Sequence, residues 1–146
     1  GNHIKVLGSG DLFCAEDCLQ MIQKTGIDGV TVARGAIGNP WIFQQAKALS
    51  EGRPMPLPPT LAEQADVMRE HFTLCQQTYS EQRAPLLMRK FCIKYSQNHP
   101  QHEVVRLDAT QIRSREDFDQ MLLNHYSDDS AGRYVPREIY GSQEEC

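Results

Sequence analysis

Val6-Leu7-Gly8-Ser9-Gly10-Asp11 and, about twenty residues on, Gly29-Val30-Thr31-Val32-Ala33-Arg34-Gly35-Ala36-Ile37-Gly38-Asn39-Pro40-Trp41 decide the fold. Each is an apolar run ending in glycines, where the backbone turns sharply and presents its N–H groups. Each is followed by a helix-forming stretch whose N-terminus carries partial positive charge. Two such loops from neighbouring parallel strands can clamp one phosphate, and in an eight-fold β/α barrel the place for this follows strands seven and eight. Amides give directed donors and a guanidinium adds a charged fork. The candidates for gripping a phosphate are therefore Gly8, Ser9, Gly10, Asp11, Arg34 and Gly35. For Asp11 a second reading stands beside the first, as the cap of the next helix.

Working outward, residues 4–7 form a short strand and residues 15–25 a helix that Gly26 ends. Residues 29–33 are rich in β-branched side chains and read as the next strand; Asn39 then caps a helix with Pro40 at its first position, running to about residue 51. Pro54, Pro56, Pro58 and Pro59 cannot continue it. Beyond them Thr60 and Glu63 make a capping box, and Leu61, Ala65, Met68, Phe72, Cys75 and Tyr79 recur at helical spacing. A second helix starts near Ala84 and Pro85, with Leu87, Met88, Phe91, Cys92 and Tyr95 apolar, and stops before His99-Pro100. A third follows Ser114-Arg115-Glu116-Asp117 and carries Phe118, Met121, Leu122 and Tyr126.

The expected architecture is α/β followed by all-α: the end of a (β/α)8 TIM barrel, contributing two βα units over residues 1–53, and a small C-terminal helical bundle over residues 60–126. Residues 54–59 link the two, and residues 127–146 form a polar, mobile tail. A whole barrel needs about 200 to 250 residues, and the chain has 146. It therefore reads as the C-terminal piece of a larger enzyme. Parallel strands cut from a barrel expose their edges, so self-association through them is expected of a truncated chain.

The five cysteines, Cys14, Cys18, Cys75, Cys92 and Cys146, are scattered and lack the paired spacing of a zinc site, so no metal is expected and a reducing cytoplasm is the expected home. Apolar runs are a handful of residues long, which gives neither a leader nor a membrane span. The net charge of −4 is unevenly spread: residues 83–115 hold seven basic and two acidic groups, whereas residues 116–146 hold two and eight. The field a docking backbone feels is local at screening lengths of about 8 Å. Arg83, Arg89, Lys90 and Lys94 on the second helix of the C-terminal half are thus the candidates for contacting a polyanion such as RNA.

Gly8, Gly10, Asp11, Asp28, Gly29, Val30, Arg34, Gly35, Ala36, Gly38, Asn39, Pro40 and Trp41 together resemble the end of the barrel in tRNA-dihydrouridine synthases, and Met88-Arg89-Lys90-Phe91 resembles a stretch of the helical domain of the same enzymes. Three departures are visible. Ser9 stands where the family usually has Asn, Cys14 where it has a capping Ser, and Phe91 where it has His. The resemblance implies a flavoenzyme that binds FMN at the barrel mouth, reduces it with NADPH, and passes a hydride to a uridine of tRNA while a cysteine donates the proton. None of the five cysteines matches that catalytic position, so the chain by itself is expected to be inert, holding the FMN phosphate and docking tRNA without a catalytic residue. Two other readings are another phosphate-binding or FMN-dependent TIM-barrel enzyme, and a non-catalytic RNA-binding or assembly module.

Overall fold

The computed structural model describes residues 3–136. These residues divide into two compact units, one of residues 3–57 with 135–136 and one of residues 58–134.

The first unit is mixed α/β. β1 (Leu7–Gly8) pairs in parallel with β2 (Gly29–Val30), Leu7 opposite Gly29 and Gly8 opposite Val30. The ladder is extended by the Asp28 amide donating to the Val6 carbonyl at 3.0 Å and the Thr31 amide to the Gly8 carbonyl at 2.8 Å. Regular pairing is thus shorter than the apolar runs suggested. Among the described residues β1 has β2 as its one neighbour, and Leu7 is 62% exposed. The Asp28 carboxylate fixes the entry to β1: it accepts from the Val6 amide at 2.9 Å and from Lys5 Nζ at 3.1 Å. Those bonds hold its pKa below the usual carboxylate range, the backbone bond most of all.

α1 (Ala15–Thr25) has the expected bounds. A thiol at Cys14 caps weakly, so Asp17 supplies the stronger half, accepting from the amides of Phe13 and Cys14 at 3.3 Å each. Gly26, at φ 71°, ends the helix by donating to the Ile22 carbonyl at 2.9 Å. α2 (Ile42–Ser50) starts two residues later than the sequence suggested. Pro40 and Trp41 make the turn leading into it, and buried Asn39 accepts from the Ile42 amide through its backbone carbonyl at 3.3 Å. Leu12, Cys18 and Ile42 form the core of this unit, with Met21, Val30, Val32, Ala36 and Ala46 packed around them.

The second unit is helical: α3 (Leu61–Thr78), α4 (Arg83–Tyr95), α5 (His102–Ala109) and α6 (Arg115–His125). The Thr60–Glu63 capping box is present, with the Thr60 amide donating to Glu63 at 2.8 Å and the Glu63 amide to Thr60 Oγ1 at 3.2 Å. Ser114 and Asp117 repeat it on α6. Met68, Phe72, Met88, Val105 and Phe118 are fully buried; each such side chain contributes about 1.5–3 kcal/mol of transfer free energy. Phe72 and Phe118 meet edge to face at 4.7 Å, and Arg115 covers both rings at 5.0 and 5.7 Å. Tyr79, read from its spacing as the last member of the α3 apolar stripe, is instead 41% exposed. It sits past the last helical turn, where the helix no longer fixes which way a side chain faces.

Two further departures concern the end of this unit. No local pattern announces α5. Its start is fixed by His99, whose Nδ1 accepts from the Gln101 amide at 2.9 Å while Nε2 donates to the distant His125 carbonyl at 2.9 Å. Residues 130–133, expected in a mobile tail, lie against the helices: the Leu61 amide donates to Ser130, the Gly132 amide to Pro59, and the Arg133 amide to Asn98, at 2.8 to 3.1 Å. Gly132 permits this, since a Cβ there would stand 2.1 Å from the Pro59 carbonyl oxygen. Residues 137–146 of the expected tail lie outside the described residues. Among the described residues no helix is long and apolar enough to cross a membrane.

Candidate functional site

β1 and β2 run parallel, so their following loops emerge at the same end, and the two glycine segments meet there. They enclose a cavity of about 110 Å³ lined by Ser9, Gly10, Asp11, Leu12, Phe13, Thr31, Ala33, Arg34 and Gly35. Five of the six residues proposed for a phosphate thus share one wall. Gly8 does not. It is the last residue of β1, its carbonyl engaged by Thr31, and a Cβ on it would meet Ile27 Cδ1 at 2.4 Å and Met21 Sδ at 2.9 Å, so its glycine makes room for Met21 of α1 and for Ile27 after it.

The backbone of the first loop takes an unusual path. Gly10 has φ 123° and Asp11 φ 50°, the one positive value among the described non-glycine residues. Asp tolerates this region better than most side chains. The turn leaves the amides of Ser9, Gly10 and Asp11 donating to no described residue. Successive amides of this kind form an anion-binding concavity. The second loop is a 3-10 turn at Arg34–Ala36. Gly35 lets it sit directly on the first loop: a Cβ there would fall 1.9 Å from the Leu12 carbonyl oxygen.

Arg34 carries the cation of the cavity. Its Nη2 donates to Asp11 Oδ1 at 2.6 Å and its guanidinium lies 5.5 Å from the centroid of the Phe13 ring. Glycine-loop spacing points to Arg34 and Asp11; Phe13 carries no such signal and enters only through its position against the guanidinium. The cavity therefore offers amides without a partner among the described residues and a guanidinium held by one carboxylate. That donor set fits a phosphate that shares or takes over the guanidinium. Burial pushes the Cys14 thiol up to about 12 and raises Cys18 as well, so neither is a ready thiolate, and neither lines the cavity. Among the described residues no group of three or more His, Cys, Asp or Glu side chains could hold a metal.

In the second unit, α4 carries the basic residues. Arg83, Lys90 and Lys94 are exposed and, at about 100° per residue, fall within about 40° of one another around the axis. Arg89 is half-buried and lies about 100° away from Lys90, off that stripe. Phe91 is half-buried and packs against His71 of α3, ring centroids 4.4 Å apart and planes tilted by 46°, while His71 Nδ1 lies 3.2 Å from the Tyr95 hydroxyl.

The sequence matches the family model described as dihydrouridine synthase (Dus) over residues 1–130. This chain belongs to the dihydrouridine synthase family. It is 37% identical over 119 residues to a probable tRNA-dihydrouridine synthase of Mycobacterium tuberculosis (strain CDC 1551 / Oshkosh), covering 82% of this chain and 31% of that protein. It is 35% identical over 131 residues to tRNA-dihydrouridine synthase B of Vibrio cholerae, covering 88% of this chain and 39% of the relative. The chain spans between three and four tenths of the length of these curated relatives. The match takes in residues of both units, so the cavity and the basic helix lie within the stretch that the family model matches.

Proposed function

We propose that the chain forms the C-terminal part of a flavin-dependent tRNA-dihydrouridine synthase, in which residues 1–53 close a TIM barrel around the phosphate of FMN and residues 60–126 dock tRNA. The observation that carries this reading is the meeting of Ser9, Gly10, Asp11, Arg34 and Gly35 on one cavity, in a chain whose family match spans residues 1–130. The chemistry supplied there when FMN is bound and reduced by NADPH is hydride transfer to a uridine. This chain's own residues hold and orient. The amides of Ser9 and Gly10 donate to phosphate oxygens, and Arg34 offers a second, charged donor pair from the facing loop. Phe13, against the guanidinium, fixes its plane.

The helical unit acts on the other substrate. Arg83, Lys90 and Lys94 make backbone contacts that position tRNA without reading sequence, Arg89 flanking them, while the target base is drawn out of its stack toward the flavin. A tRNA-modifying role places the protein in the cytoplasm. The test is turnover of unmodified tRNA with FMN and NADPH by the full protein, read as dihydrouridine formed. Arg34→Gln is expected to raise the FMN concentration needed for half-maximal rate, and Lys90→Gln with Lys94→Gln to raise KM for tRNA. No dihydrouridine from the unaltered protein overturns the reading.

A further inference from the structure

We propose that Tyr79 is a stacking platform for an unpaired nucleobase of the docked RNA, with Arg83 as its cationic backing. The inference rests on the tRNA-docking reading above and adds a contact to it. Tyr79 closes α3 through its backbone alone, its amide donating to the Cys75 carbonyl at 2.8 Å. Nothing in that role needs an aromatic ring, yet the ring is 41% exposed. Its orientation is set by Arg83, whose guanidinium carbon lies 5.3 Å from the ring centroid. A ring held by a cation loses little rotamer freedom on stacking a base.

Position supplies the partner. Arg83 is the first residue of α4 and the first of the exposed basic stripe that continues through Lys90 and Lys94, about 16 Å along the axis at 1.5 Å per residue. Residues 83–115 hold seven basic groups against two acidic in a chain of net charge −4, so the stripe complements a polyanion. An aromatic face at the head of a basic track is how single-stranded nucleic acid is held, with phosphates on the cations and a base on the ring. An acidic peptide would use the cations and leave the ring idle.

Binding of an unmodified tRNA transcript to the full protein, titrated against salt, separates the possibilities. Tyr79→Leu is expected to weaken binding about tenfold with the salt slope unchanged, Tyr79→Phe to bind as the unaltered protein does, and Arg83→Gln to lower the slope by about one. Lys90→Gln with Lys94→Gln reports docking independently of the ring. Should those lysine changes weaken binding while Tyr79→Leu has no effect, the docking reading stands and the platform is overturned. Loss of affinity in both Tyr79→Leu and Tyr79→Phe assigns the contact to the hydroxyl, and a lowered melting temperature in Tyr79→Leu alone assigns the ring a structural role; either overturns it. Absence of salt-dependent tRNA binding overturns both.

Discussion

Arg34 and Asp11, 23 residues apart, join the two glycine loops through a 2.6 Å hydrogen bond at the mouth of one cavity. The carboxylate orients the guanidinium but also occupies it. A bound phosphate has to share that cation, which makes the pair a competition as well as a scaffold.

Removing the cation gives the plainest consequence. Hydrogen bonds to charged groups contribute about 1.5–3 kcal/mol, so Arg34→Gln should weaken FMN binding roughly ten- to a hundredfold while leaving riboflavin, which lacks the phosphate, unchanged. Flavin fluorescence titration of both ligands reads the difference.

Asp11→Asn acts the other way. The amide keeps an acceptor for Arg34 and removes a negative charge from the cavity wall, so FMN should bind a few times more tightly, most visibly at low salt. Weaker binding of FMN by this variant would mean that the charge of Asp11 is needed to hold the guanidinium in place.

Gly35→Ala places a methyl group on the Leu12 carbonyl, 1.9 Å away in the unaltered backbone. Relief requires the loops to separate, at about 1–3 kcal/mol, and both FMN affinity and thermal stability should fall. Gly10→Ala meets no atom within 4 Å but must hold φ 123°, so its cost is backbone strain alone. Differential scanning fluorimetry with and without FMN distinguishes the two.

The helical unit should lose stability in mild acid. Burial depresses the pKa of His99 and of His71 below 6.5. For His99 the geometry agrees: Nδ1 accepts from Gln101 and Nε2 donates to His125, leaving no nitrogen for a further proton. His125 and Arg133 oppose a positive charge there, whereas Asp128 and the His125 carbonyl favour one. The unfolded chain therefore binds protons that the native unit refuses. The stabilisation is complete above about pH 6.5 and is lost as the pH falls from there through the depressed values. Asp117 and Asp128 titrate below 3.8 and do not enter this window. Melting temperatures between pH 7.5 and 5 should decline, and His99→Gln, destabilised at neutral pH, should flatten the decline. A profile that stays flat in the unaltered protein would contradict the assignment.

What the sequence disclosed follows from where each signal resides. α1 and its Gly26 stop, and both capping boxes, are local patterns and stand in the structure where the residues indicated. α5 went unread because its first turn has no side-chain cap of its own; Val104 and Val105 weaken the helical pattern, and the start is fixed by His99, itself held to α6. Residues 130–133 read as tail because their partners, Pro59, Leu61 and Asn98, are remote in sequence. In the candidate site, Ser9, Gly10, Asp11, Arg34 and Gly35 were legible as glycine-loop chemistry. The Arg34–Asp11 bond and the Phe13 ring beneath the guanidinium needed three dimensions. Gly8 was legible only as a glycine, since packing against Ile27 and holding a phosphate call for the same residue.

The central claim is that the two loops grip the phosphate of a flavin mononucleotide. Comparing FMN with riboflavin binding to the full protein, before and after Arg34→Gln, tests it most directly. The account predicts that FMN binds at least about tenfold more tightly than riboflavin and that the substitution narrows the gap, leaving only the share the loop amides supply. Equal affinities in the unaltered protein, or an FMN preference undiminished by Arg34→Gln, would contradict it.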